Sequence, residues 1–350
     1  MKEFKVNMKK QYNGIDIIKF FMAICVVIIH LTPFGSLGSN VDFAFDQILT
    51  RAAVPFFFVA SGFFLKMKLD RTTTNKEYND VVLGFVKRIA ILYGIWTLIY
   101  SPCIIFWIKQ DGDTVLTYLQ KCIFDGSYLH LWYLPSVLVS GFLAAFLVKK
   151  IGINKSIIIA FVLYLIGLLD TSYYGLIKNN SVLIKLIGKY EDVFITTRNG
   201  LFFGLIFVLI GFLIYERRDK YSLKNNAIML IVAIVGLATE MVVLWKTGIG
   251  RSYEGVIFSV FVVYFLMIVA QKVEIGDSNK CKSLRRMGEF IYLSHCMFDF
   301  SYSVLCFNIL HRTFNDFVRF GYTLVLSIAF SIIVLKLSRC NRFKWLNKIY

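Results

Sequence analysis

The sequence predicts an all-α polytopic membrane protein with about ten transmembrane helices and both termini cytoplasmic. Three observations carry this expectation. Of 350 residues, 57% are hydrophobic and 17% aromatic, with a mean hydropathy of +0.66, more apolar surface than one soluble core of this size can hide. Several apolar runs approach the roughly twenty residues that cross a bilayer. Lysine and arginine gather in every second connection between those runs.

Taking roughly twenty residues per span, the chain reads as a single transmembrane domain over residues 1–350. Its helices fall near 15–32, 53–67, 88–108, 130–148, 156–170, 199–215, 226–246, 253–270, 288–309 and 317–337. The start "MKEFKVNMKK" leads into a long span with no small-residue cleavage site after it, so the first helix is expected to stay and to act as its own insertion signal. One set of connections comprises that start, "KMKLDRTTTNKEY", "KKIGINK", "ERRDKYSLKN", "KCKSLRR" and "SRCNRFKWLNK". The alternate set, from "PFGSLGSNVDFAFDQ" to "HRTFND", is far less basic. Positive-inside bias therefore puts the first set, with both termini, in the cytoplasm. The outer segment 170–198 is long for a connection, and reads as a lid or an irregular re-entrant piece. No internal repeat strong enough for an inverted-repeat transporter is evident.

The formal net charge of +17 could suggest a nucleic-acid partner, but cations confined to short loops between apolar runs are explained by orientation in the lipid bilayer instead. Seven cysteines are scattered without CxxC spacing, several of them inside apolar spans. They indicate neither a disulfide framework nor a metal site, and read as small apolar residues.

Polar residues inside the spans mark the candidate site. In "IDIIKFFMAICVVIIHLT", Lys19 and His30 are eleven residues apart, almost three helical turns, so they share a face with His30 about 16 Å further along. Each could simply reach for its own interface, but other polar residues accompany them. "HLWYLPS" puts His130, Trp132 and Tyr133 at the outer end of the fourth span; an aromatic belt accounts for the rings and leaves the histidine unexplained. "TTRNGLFFG" brings Arg198 to the outer edge of the sixth span, and "GLATEMVVL" carries Glu240 mid-span. "YLSHCMFDF" carries His295 and Asp299 one turn apart on one face. Ser61, in "VPFFFVASGFF", reads as a helix-packing residue beside Gly62. Among the histidines, His311 alone, in a short outer connection, has no evident role.

In order and spacing, "Lys19, ten residues, His30", "VPFFFVASGFF", "FVKRIAILYGIW", "HLWYLPS" and "YLSH" resemble the acyltransferase-3 family of ten-helix membrane proteins over nearly the whole chain. The resemblance implies that His30 is the catalytic base, moving an acyl group from cytoplasmic acyl-CoA to a hydroxyl on an extracytoplasmic acceptor such as a cell-envelope glycan. It makes Lys19 the donor-side cation where the family more often has arginine, and Lys87 and Arg88 the basic motif of the third helix, with Phe85 where the family has an earlier arginine. Lysine lacks the planar fork of arginine.

Within that superfamily, "YLHLWYLPSVL", "GLLDTSYYGLI" and "TTRNGLFFG" are similar to the membrane half of the membrane-bound serine racemases of vancomycin-resistance clusters in Gram-positive bacteria. This implies a multi-pass protein of the bacterial cytoplasmic membrane. The racemase half, with its PLP site, has no counterpart before Tyr350, so the expectation is a membrane subunit that supplies L-serine to a separate PLP-dependent racemase chain and binds no cofactor itself. In that transport reading Arg198 would hold the serine carboxylate, Glu240 or Asp299 its ammonium, and His30, His130 and His295 would be hydrogen-bond or proton partners. In the enzymatic reading His30 deprotonates an acceptor hydroxyl for direct attack on the thioester of acyl-CoA. A membrane anchor for the racemase is a third reading.

Overall fold

The computed structural model describes residues 11–111, 114–311 and 315–349; the basic start at 1–10 lies outside them. The described chain is helical throughout, with no strand. We label its α-helices in order: α1 Asn13–Leu31, α2 Ala53–Leu69, α3 Asn75–Ile99, α4 Ser101–Asp111, α5 Val115–Phe124, α6 Tyr133–Ile151, α7 Ile153–Asp170, α8 Ser181–Phe194, α9 Leu205–Glu216, α10 Leu223–Thr247, α11 Ile257–Lys272, α12 Ser278–Val304 and α13 Asp316–Leu337. Among the described residues eight helical runs are long and apolar enough to cross a membrane: Asn13–Leu31, Ser39–Leu69, Asn75–Ile99, Leu129–Ile151, Ile153–Asp170, Leu223–Thr247, Ser278–Phe307 and Asp316–Leu337. Of three shorter apolar helical runs among the described residues, Val115–Phe124, Gly200–Glu216 and Ile257–Lys272, the last two coincide with the regions expected near 199–215 and 253–270.

The shortness of α9 has a packing explanation. Leu205 to Phe212 are all buried, as are Ile214 and Tyr215, so the helix is apolar on every side because every side meets protein. It lies against α2 at backbone distance: a Cβ on Gly62 would run into the Val208 carbonyl, and one on Gly211 into that of Val59. Small residues let two helices approach this closely inside a bundle.

Three departures from the sequence expectation have local causes. The third span begins earlier, at Asn75, because Thr74 caps α3 by accepting from the Glu77 N–H at 3.2 Å. It also breaks at Tyr100, two residues ahead of Pro102, which has no N–H to continue the ladder and restarts the chain as α4. The connection expected over 33–47 instead holds a short helical turn at Ser39–Asp42 and a π-turn at Phe43–Leu49. In 170–198 the chain forms a short 3-10 turn, Tyr174–Leu176, and then α8, whose cap Asn180 accepts from the Val182 and Leu183 amides at 3.1 Å. There burial and the neighbouring Asp170 carboxylate push the Glu191 carboxyl up, with Arg251 opposing them.

Candidate functional site

Three separate elements bring three histidines together. His30 occupies the last turn of α1, His130 lies in the 3-10 turn Leu129–Trp132 ahead of α6, and His295 lies in the middle of α12. Their ring centroids are 4.8 Å apart for His130 and His295, 5.1 Å for His30 and His295, and 6.3 Å for His30 and His130. His130 and His295 are fully buried and His30 is partly buried.

The supporting shell is aromatic. Tyr100 donates its hydroxyl proton to the Leu293 carbonyl at 2.8 Å and accepts the Met297 N–H at 3.2 Å, so it sits in the backbone ladder of α12. Its ring stacks on Tyr128 at 4.8 Å and meets His130 edge-on at 5.2 Å. Tyr292 donates to the His130 carbonyl. His295 Nδ1 lies 2.8 Å from the Tyr292 carbonyl and His130 Nε2 3.3 Å from that of Leu293, which assigns the proton to each of those nitrogens. Among the described residues His30 makes no ring hydrogen bond, and its neutral imidazole keeps a lone pair for an incoming proton.

A cavity of 810 Å³ leads toward this cluster, a size that suits a cofactor-scale ligand. One end is cationic, lined by Lys19, Lys68, Arg88, Arg285 and Arg286 with Glu289 among them; the other reaches Tyr133, Tyr292 and Leu293, the last two being neighbours of His130. Lys19 Nζ lies 3.8 Å from Glu289, and Arg285 lies 3.3 Å from Asp16 and 4.0 Å from Glu289. Ser61 and Tyr133, 3.0 Å apart through their hydroxyls, form part of the wall. Lys19 and Arg88 therefore share one cavity, as does Phe85, whereas Lys87, exposed like Arg88, is absent from its lining.

The remaining sequence candidates already have partners within the fold. Arg198 pairs with Glu254 at 2.6 Å and Asp125 at 3.2 Å and lies 4.8 Å over the Trp132 ring, so its two terminal nitrogens and its face are occupied, while its buried Nε has no hydrogen-bond partner among the described residues. Trp132 packs on Phe58 and Phe203 with that guanidinium above it. Glu240 accepts the Ile257 and Phe258 amides at 2.7 Å each and the Tyr173 hydroxyl; it is the borrowed N-cap of α11, supplied from another helix. Asp299 is bound bidentately by Arg319 at 2.5 and 2.8 Å, joining α12 to α13. The groups expected to hold a zwitterion are thus already paired. Glu240→Gln is expected to destabilise the fold by about 1–3 kcal/mol, read as a lower melting temperature in detergent, with ligand affinities unchanged.

Sequence reasoning missed Tyr100, Tyr292, Glu289, Arg285 and Arg286. The two arginines counted only as charges of a connection; Asp277 caps α12 by accepting from Asn279 at 2.6 Å and so starts that helix ten residues before the expected 288. This extra length carries both arginines into the cavity wall.

Comparison with known proteins gives two kinds of match. The acyltransferase-3 family model, described as an acyltransferase domain, matches residues 12–336. Two proteins named amino-acid racemase from Enterococcus faecalis are 38% and 32% identical over 62% and 68% of this chain, but over only 30% and 34% of their own length. A protein named serine/alanine racemase from Enterococcus gallinarum is 30% identical over 73% of this chain and 36% of its own length. The chain therefore spans about a third of the curated relatives it matches. No solved structure matches. A helical bundle with membrane-length apolar helices, matched over residues 12–336, identifies the chain as a member of the acyltransferase-3 family of multi-pass membrane proteins.

Proposed function

We propose that the protein is an acyl-CoA-dependent O-acyltransferase of the bacterial cytoplasmic membrane, modifying a hydroxyl on an extracytoplasmic acceptor. In this reading about ten helices cross the bilayer, and the basic connections and both termini face the cytoplasm. The observation that carries it is a cavity that runs from a cationic end to Tyr292 and Leu293, the residues whose hydroxyl and carbonyl contact His130 of the histidine cluster. Lys19, Arg88 and Arg286 would meet the phosphates of the donor, with arginine giving the bidentate contacts. The acyl arm would run along Phe57, Phe64 and Leu134 toward Tyr292. There His30 takes the proton of the acceptor hydroxyl, the oxygen attacks the thioester carbonyl, and collapse of the tetrahedral adduct expels the CoA thiolate, which recovers the proton from His30. The test is acyl transfer from labelled acyl-CoA to a hydroxyl acceptor by purified protein in liposomes. A wild-type rate indistinguishable from that of empty liposomes would count against the proposal.

A second reading draws on the names of the relatives, all racemases. The chain would be the membrane component of a racemase-type system of the kind found in vancomycin-resistance clusters, supplying L-serine to a separate cytoplasmic PLP-dependent racemase chain. Labelled L-serine uptake into proteoliposomes should then exceed the empty-liposome background several-fold. Uptake at background, with acyl transfer intact, decides for the first reading.

A further inference from the structure

Sequence spacing indicates no metal site, yet folding brings a ligand set together. Ligand atoms of His30, His295 and Cys296 all lie within 4.8 Å of one another. His295 directs Nδ1 at the Tyr292 and Ile291 carbonyls, at 2.8 and 3.2 Å, which leaves Nε2 with its lone pair. Such a backbone partner is what orients an imidazole toward a metal. That Nε2 lies 3.3 Å from Cys296 Sγ, close to the roughly 3.5 Å between neighbouring ligands of a tetrahedral zinc. His130 gives a second, independent observation. It is 1% exposed, its Nε2 faces Leu293, and its Nδ1 has no partner among the described residues. An unpartnered buried nitrogen is costly, and a water on the fourth metal position would satisfy it. Asp299, one turn from His295, is held by Arg319 and does not compete.

We propose that His30, His295 and Cys296 bind one divalent cation of the zinc class, and that the bound ion occupies the His30 lone pair and so inhibits acyl transfer. One thiolate and two imidazoles select zinc over magnesium or calcium. On binding, Cys296 releases its thiol proton to buffer and three dative bonds form, with no change of oxidation state. The inhibitory part rests on the acyl-transfer reading above; the binding part does not.

The experiment is a cobalt(II) titration of the detergent-purified chain, followed by its visible bands and its near-ultraviolet thiolate-to-cobalt absorption, with zinc as competitor. Wild type is expected to develop both features at one cobalt per chain and to lose them on adding zinc. Cys296→Ser should lose the thiolate band and weaken binding at least tenfold, with elution volume and melting temperature reporting that it is folded; His311→Ala should behave as wild type. Zinc should inhibit acyl transfer by wild type, while Cys296→Ser keeps its basal rate and resists zinc. A folded wild type without the thiolate band, or a band that persists in Cys296→Ser, overturns the site, and zinc binding without inhibition overturns the regulatory role. Absence of any acyl transfer counts against the catalytic reading alone, because the cobalt spectrum needs no donor.

Discussion

His30→Ala is expected to slow acyl transfer by about 10²–10⁴-fold, the range that a positioned general base supplies, while the KM for the donor changes little. The division between the two constants follows from geometry. The cations of the donor cavity are carried by α1 near its start, by α2 and α3, and by the first turns of α12, whereas His30 lies eleven residues beyond Lys19, about 16 Å along the helix. Removing an imidazole at that distance leaves the phosphate contacts in place, so the loss falls on the chemical step. Among the three histidines, His30 is the one with no ring hydrogen bond among the described residues, while His130 and His295 each direct a ring nitrogen at a carbonyl of α12. His295→Ala and His130→Ala should therefore lower the melting temperature as well as the rate, and His30→Ala the rate chiefly. Single-turnover transfer from labelled acyl-CoA, set beside thermal unfolding of the same samples, separates the three. An unchanged rate in His30→Ala would remove His30 from the mechanism.

How much of this was legible in the sequence depends on whether a property is local. Helical character and the shared face of Lys19 and His30 follow from hydropathy and a period of 3.6, and both are local. The meeting of His30 with His295 is not. It depends on α1 and α12 packing closely at Gly288, where a Cβ would stand 3.0 Å from the Phe20 Cα, and a single glycine in "RRMGEF" has no spacing pattern that announces a helix crossing. Glu240 shows the opposite case. A carboxylate in mid-span is costly without partners, so the sequence marks it as functional, but the partners turn out to be the first amides of α11, whose position relative to α10 no one-dimensional pattern encodes. Arg198 and Asp299 likewise have partners that the sequence does not announce, since a neighbouring loop or helix supplies the opposite charge.

Arg88→Glu tests the other end of the cavity, and its expected effect is a rise of roughly 10- to 100-fold in the KM for acyl-CoA with kcat little changed. The charge balance of the wall sets the direction. Five cations line it and Glu289 is the carboxylate among them; Glu289 already lies near Lys19 and Arg285, and Asp16 draws on Arg285 as well. Reversing Arg88 puts a second carboxylate on the wall and removes a planar fork that lysine cannot replace. Lys87→Glu is the internal control, because it makes the same charge change one residue away on a side chain that is equally exposed but lies outside the lining. The donor can be dissected in parallel. An acyl-pantetheine thioester lacks the nucleotide phosphates, so its KM should be high in wild type and insensitive to Arg88→Glu, whereas the KM for acyl-CoA should also rise with salt as exposed charge contacts are screened. If Arg88→Glu and Lys87→Glu act alike, the effect belongs to the general surface potential, and the cavity is not the donor site. If Arg88→Glu alone acts, and only on the phosphate-bearing donor, the phosphates bind among Lys19, Arg88 and Arg286, and the thioester is presented inward from there toward Tyr292 and the histidines.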